Sequence, residues 1–297
     1  RPMPPVALLT ALLTGCAEQG CLRGNDPECT LPPPCQGLEF PTCDDATTWV
    51  GVWDPADSTL PAAWLPRGPN SLLSTGDVIL ANGLVTAVID AIDHPHYVAP
   101  TGGNLVDLAH GPDRVDSLRQ AMTVIGLLPQ DAPAWESIRT FQEADGTVAV
   151  QVHGHLDGRP DVRIVTRYEL RPCEPGLRVR TELVNASTTV LSTLLADGWY
   201  WGDREQLPFT PVPGAGFNHP SFGLSTLNDV LRTSPYMVAA TRPGASTGYA
   251  TVACNRRDTT GLQADSISVT GLERRVLVPR EFAIYERFLA VADGRSV

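Results

Sequence analysis

Two histidine pairs in the sequence are spaced for metal chemistry, His94-Pro95-His96 and His153-Gly154-His155. On a strand, residues i and i+2 point the same way, so two imidazoles can close on one ion. His153 and His155 share the face of Gln151, opposite Val148, Val150 and Val152. The next strand sets Arg163 and Arg167 on its polar face, which opposes a bound cation. His94 and His96 stand in a Pro-containing loop close to Asp90 and Asp93, a better mixture of imidazole and carboxylate. No spacing supplies a third ligand. Ordinary surface and loop histidines are the simpler reading of both pairs, and the sequence assigns no metal and no cofactor.

A second constellation is LADGWYWGDREQLPFTPVPGAGFNHPSFG, residues 195–223. Trp199 and Trp201 share one strand face, with Tyr200 opposite. A Pro- and Gly-rich loop then brings Phe209, Phe217, His219 and Phe222, with Asp203, Arg204 and Asn218 near them. Aromatic faces rimmed by hydrogen-bonding groups suit a sugar ring. The competing reading, which weighs more, is that the tryptophans seal the end of a core. As a ligand site, Trp199, Trp201, Asp203, Arg204, Phe217 and His219 are still the best set in the chain. No residue is assigned a catalytic role. TGGNLVDLAHG, residues 101–111, has glycines but no phosphate-cradle pattern, and reads as a tight turn entering a buried strand. HExxH and EF-hand patterns are missing from the sequence.

Seven cysteines are present. Cys21, Cys29, Cys35 and Cys43 lie close together among Pro, Gly and Asp, whereas Cys173 and Cys254 stand far apart. With Cys16 set aside, six remain for disulfides. The expectation is two bridges within the N-terminal group and one between Cys173 and Cys254. Zinc is the rival reading of the cluster, but it lacks a CxxC pair.

The 297 residues suffice for a sizeable core. Acidic residues outnumber basic ones 33 to 22, a net charge of −11, which repels nucleic acid and anionic lipid. The apolar run from Val6 to Thr14 is too short to cross a bilayer and has the length of a signal-peptide core. Leu13-Thr14-Gly15-Cys16 resembles the lipobox of bacterial lipoproteins, which implies lipidation at Cys16. Ala17 after the cysteine implies, by the same resemblance, the outer membrane. Such a chain sits in an oxidising compartment, where disulfides persist. Arg1 in place of Met implies that residues precede it.

The expected organisation is a signal peptide over 1–16, a Cys/Pro-rich stalk over 17–48 and a β-sandwich over 49–297. DVILANGLVTAVID reads as a hairpin turning at Asn82-Gly83. Residues 147–185 hold three strands, turning at Asp157-Gly158 and Glu174-Pro175-Gly176. Val162, Ile164, Tyr168 and Leu170 alternate with Arg163, Arg167 and Glu169, giving one core face and one polar face. Further strands are expected at 189–201, 236–242, 248–254, 274–278 and 282–291. DRVDSLRQAM, residues 113–122, is the best short helix. Many strands with close turns mean an all-β, large antiparallel β-sandwich.

GDVILANGLVTAVID, TGGNLVDL, VRIVTRYELRP, LRVRTELVNAS, ADGWYWG and FTPVPGAGF together resemble a β-sandwich module of bacterial surface lipoproteins. In that family the module precedes a PHP-type metallohydrolase domain. The resemblance covers roughly residues 70–290 and implies a catalytic part beyond Val297. More distantly, the run is similar to the galactose-mutarotase-like supersandwich. There the acid His of sugar epimerases follows a strand ending in Asn; here Asp197 stands near that place. No Glu near the C-terminal end is placed clearly as the matching base; Glu281 and Glu286 are the candidates. The reading is a non-catalytic envelope module, joined to the membrane through an N-terminal lipid, that binds a glycan or peptide or scaffolds a downstream domain. The alternatives are an accessory part of a metallohydrolase and an epimerase-like enzyme.

Overall fold

The computed structural model describes residues 29–43, 46–68, 70–126, 131–201, 206–208, 236–241, 247–254, 259–263, 267–272 and 274–293. The regular structure of the described residues is almost wholly antiparallel strand. One eight-stranded sheet contains β1 (Thr48–Val52), β2 (Val78–Asn82), β3 (Val85–Ile89), β4 (Leu105–His110), β5 (Gln120–Val124), β11 (Ala196–Tyr200), β15 (Thr260–Gln263) and β16 (Ile267–Gly271). Its order is β1-β2-β3-β4-β5-β11-β16-β15. The other holds β6 (Pro133–Gln142), β7 (Val148–Leu156), β8 (Arg159–Leu170), β9 (Gly176–Asn185), β12 (Gln206–Pro208), β13 (Tyr236–Thr241), β14 (Thr247–Ala253) and β18 (Phe282–Asp293). Its order is β12-β13-β14-β18-β9-β8-β7-β6. A two-stranded ribbon, β10 (Leu191–Thr193) with β17 (Arg275–Leu277), closes one end.

The hairpin of β2 and β3 forms as expected, with Ala81 opposite Thr86. Asn82 fastens its own turn, its side-chain oxygen accepting the amides of Leu84 and Val85 at 2.8 and 2.7 Å. All ten residues of the two strands are buried. One face meets the sandwich core. The other, with Ile79, Ala81 and Val88, is covered by Trp49, Trp53, Leu60, Trp64, Leu72 and Leu73. The near-continuous apolar run of this hairpin is the signature of a strand pair covered on both sides.

The strands β7, β8 and β9 also form where alternation places them, and Val150, Val152, Ile164, Tyr168, Val179 and Leu183 face the core. Their polar face departs from expectation, because much of it is buried too, although Arg163 stays exposed. Arg167, Glu169, Arg178, Arg180 and Glu182 are each at most 5% exposed. Buried charge demands partners. Arg167 reaches Glu143 and Glu169, Arg178 reaches Glu174, and Arg180 reaches Glu182 and Glu286, the last at 2.6 Å.

Residues 29–43, part of the Cys/Pro-rich segment read as a stalk, lie as a strap over this face. Leu31 packs on Val165, and its amide donates to the Gln151 side-chain oxygen at 2.8 Å. The Arg178 guanidinium donates to the carbonyls of Cys35 and Leu38. Phe40 packs on Phe288 with ring centroids 4.9 Å apart. Two disulfides latch the strap, Cys35–Cys254 and Cys43–Cys173. The expected Cys173–Cys254 bridge and a self-contained N-terminal group are therefore both overturned. The strap runs between the two distant cysteines and pairs with each. Cys29 is disulfide-bonded as well, and Cys16 and Cys21 lie outside the described residues.

The helix expected over 113–122 is also absent. Arg114 sits at φ +50°, which ends any helical run, and the Tyr249 hydroxyl accepts the amides of Ser117 and Leu118 at 2.8 and 3.0 Å. Gln120 to Val124 then enter the sheet beside β11. Long-range pairing overrides local propensity here.

Among the described residues, an ion pair lies between the sheets. Arg287 on β18 donates two hydrogen bonds to the carboxylate of Asp197 on β11, and a third to Thr181 at 2.7 Å. The Thr166 and Thr181 hydroxyls are 2.9 Å apart, extending the polar column. Arg287→Met should destabilise the fold by about 3–5 kcal/mol, because it strands a buried carboxylate. The pair Arg287→Met with Asp197→Leu should recover most of that loss in urea unfolding. Reduction should lower stability sharply, since each long loop is worth about 5 kcal/mol on the chain-entropy model. Peptide mapping without reductant should recover Cys35 joined to Cys254 and Cys43 joined to Cys173.

Candidate functional site

Among the described residues, one open cleft of about 500 Å³ brings chemistry-bearing side chains together, lined by Ser74, Thr75, Asp93, His94, Pro95 and His96. The loop between β3 and β4 builds it. Gly103 turns this loop at φ +94°, and a Cβ there would meet the Trp135 ring at 2.7 Å. Trp135 in turn anchors the loop, donating its indole N–H to Asn104 at 3.1 Å and its backbone amide to the Thr101 hydroxyl oxygen at 2.7 Å. The sequence TGGN is thus a clamp on the loop, consistent with its reading as a tight turn.

Each histidine of the cleft is held from behind by a buried carboxylate. His94 Nδ1 lies 3.3 Å from Asp77 Oδ1, and His96 Nδ1 lies 3.1 Å from Asp90 Oδ2. Both aspartates are also tied to the backbone. Asp77 accepts the amides of Ala91 and Ser74 at 2.8 and 2.7 Å, and Asp90 accepts that of Asn104 at 2.6 Å. Burial raises the Asp90 carboxyl to about 6, against the opposing hydrogen bond from His96. The hydrogen bond to Asp90 raises His96 above its ordinary value. Asp90 was visible beside the pair in the sequence. Asp77, 17 residues before His94, was missed, because only the hairpin brings it back.

The other pair is differently placed. His153 and His155 do share a face, as strand geometry requires. The Gln151 amide lies 2.7 Å from His153 Nε2 and also donates to Cys29 O, so His153 sits beside the strap. His155 Nδ1 donates to the carbonyl of Leu156 at 2.9 Å, and its Nε2 lies 3.5 Å from Glu136.

The aromatic platform is corrected by burial. Trp199 and Trp201 are both 0% exposed and stack with centroids 5.3 Å apart. Trp201 also packs on Tyr249 and donates to Ser268 at 3.0 Å. Two indoles enclosed in the core present no face to a sugar, so the competing reading holds for them. Asp203, Arg204, Phe217 and His219 lie outside the described residues. Asp197, placed near the epimerase acid by resemblance, is locked to Arg287 inside the sandwich. Glu286 is paired with Arg180, and Glu281 accepts the amide of Val278 at 2.9 Å.

Behind the cleft, Asp77 acts electrostatically on a further buried carboxyl, Asp107, and Asp107 acts on a third, Asp116. Asp107 accepts the amide of Leu72 at 2.9 Å, and Asp116 accepts the Tyr249 hydroxyl at 3.0 Å. Burial raises Asp107 to about 7, with Asp77 adding to the rise, and raises Asp116 well above the carboxylate range, with Asp107 adding. Burial thus shifts the titration of both carboxyls above that of the unfolded chain, which releases these protons above about pH 4. The folded state binds more protons over that interval, so stability must fall as pH rises through it. The melting temperature should be several degrees lower at pH 8 than at pH 5. Asp107→Asn, which keeps an acceptor for Leu72, should flatten that slope.

No protein-family model matches the chain, and no curated protein matches it. Solved structures do resemble it at low identity. A TPR-domain containing protein from Parabacteroides distasonis is 11% identical with a TM-score of 0.53, covering 73% of this chain and 47% of that one. A galactose mutarotase-like protein from Lactobacillus casei is 11% identical with a TM-score of 0.45, covering 73% of this chain and all of that one. A putative aldose 1-epimerase from Escherichia coli K12 is 9% identical with a TM-score of 0.42, covering 71% of this chain and 97% of that one. This chain spans about half the length of the first of these, and what it shares with that protein is the fold.

Proposed function

We propose that this chain is an exported β-sandwich module of the bacterial envelope whose task is to scaffold a neighbouring domain. The observation that carries it is the latched strap. Two disulfides suit an oxidising compartment outside the cytoplasm. They hold residues 29–43 over the sheet face that carries Arg167, Glu169, Arg178, Arg180 and Glu182. The acidic members of that face are already neutralised by arginines, which favours rigidity over proton transfer. General acid–base work needs a free acid and base within reach of one substrate.

Three finer features belong to the same proposal and rest on the sequence. Tethering is through a lipid on Cys16, at the outer membrane. The neighbouring domain is a metallohydrolase of the PHP type. The glycan or peptide reading rests on Asp203, Arg204, Phe217 and His219, which lie outside the described residues.

Screening the oxidised full chain on a broad glycan array tests the role. No retained glycan is the expected result. Binding that falls at least tenfold in Arg204→Ala, with an unchanged melting temperature, would assign a carbohydrate role and overturn the scaffold reading. Growth with a palmitate analogue tests the tether: the wild-type chain should take up label and Cys16→Ala should not.

A further inference from the structure

We infer that His94 and His96 form a binding site for one divalent transition-metal ion, open to solvent on one side. The inference stands on the cleft alone and does not rest on the scaffold reading. A histidine that binds metal through Nε2 is held by a hydrogen bond from its Nδ1–H to a carboxylate, which fixes the tautomer and raises the donor strength of the other nitrogen. Both histidines have that partner here, Asp77 for His94 and Asp90 for His96. Both carboxylates are fully buried, and both are pinned by backbone amides. Surface histidines seldom stand on two prearranged carboxylates. The side chains of His94 and His96 remain 38% and 22% exposed. Their rings line the same cleft, and with Nδ1 of each ring on a carboxylate, Nε2 is the nitrogen that would bind the ion.

The donor set selects the ion. Two neutral imidazoles suit Zn²⁺, Cu²⁺ or Ni²⁺, whereas Ca²⁺ and Mg²⁺ require oxygen donors. The two carboxylates behind the rings balance the charge of a divalent ion. Among the described residues, no group of three metal-binding side chains stands close enough to enclose an ion. The remaining positions are therefore left to water or to an outside ligand, as in open sites. His153 and His155 lack this arrangement. Gln151 occupies His153, and the Nδ1–H of His155 goes to a carbonyl.

The test is calorimetric titration of Zn²⁺ and Cu²⁺ into the oxidised, untagged full chain with free thiols blocked. One equivalent should bind. His94→Ala and His96→Ala should each weaken it at least tenfold, and the double variant His153→Ala with His155→Ala should leave it unchanged. Asp90→Asn keeps an acceptor for the Asn104 amide and should weaken binding 10–100-fold. The electron paramagnetic resonance spectrum of bound Cu²⁺ should show nitrogen coordination that changes in each histidine variant. If Asp90→Asn fails to fold, the two histidine variants decide the matter. Absence of one-equivalent binding, or binding undiminished in the His94→Ala and His96→Ala double variant, overturns the inference.

Discussion

A guanidinium sealed between two sheets persists only when its protons meet acceptors and its charge meets a carboxylate. Arg287 meets both demands with groups from opposite layers. Asp197 comes from the first sheet, while Thr181 and the Tyr285 carbonyl come from the second. The bond geometry is satisfied in one alignment of the sheets. A slip of one residue on β11 would turn Asp197 outward and Arg287 would lose its partner. Apolar residues alone would fill the same space without specifying that alignment. The polar column of Thr166 and Thr181 beside the pair adds to this constraint.

With the sheets aligned, the outer faces follow. The second sheet carries arginines and glutamates at alternate positions of β8 and β9, and these would be ordinary surface groups on an open sandwich. The strap removes them from water, so each must be answered by an opposite charge or a carbonyl. Arg178 shows the consequence: it takes Glu174 on one side and two strap carbonyls on the other. Ordering this segment costs conformational entropy. The disulfides at Cys35 and Cys43 offset that cost by restricting the unfolded chain. The first sheet solves the same problem with tryptophans and leucines, so the molecule is layered on both outsides by different chemistry.

Much of this architecture was legible in the sequence, and the exceptions share one cause. The β2–β3 turn is written in Asn82-Gly83, and the three strands β7 to β9 are written in strict alternation. Those signals are local. The disulfide pairing depended on where residues 29–43 travel, which no local pattern encodes. The helix expected over 113–122 failed because Tyr249, more than 120 positions away, captures its amides. Trp199 and Trp201 were read both ways from sequence, because an aromatic pair on one strand face looks the same whether a core or a ligand covers it. In the histidine loop, Asp90 was visible and Asp77 was not, since a carboxylate's partner is a matter of folded distance.

The loop that holds His94 and His96 also shows how rigidity reaches an exposed site. The glycines of residues 102–103 let the loop pass within contact of Ala91 and Trp135, and Trp135 is fixed in the core by Asn104. The same loop backbone donates to Asp90, and Asp77 receives the amide of Ala91. The two carboxylates therefore hold the loop and the imidazoles at once. Removing either one disturbs a backbone fastening as well as a ring, which makes loop geometry and imidazole orientation a single property. That linkage separates this pair from His153, whose Nε2 meets the Gln151 amide, and from His155, whose Nδ1 meets a backbone carbonyl.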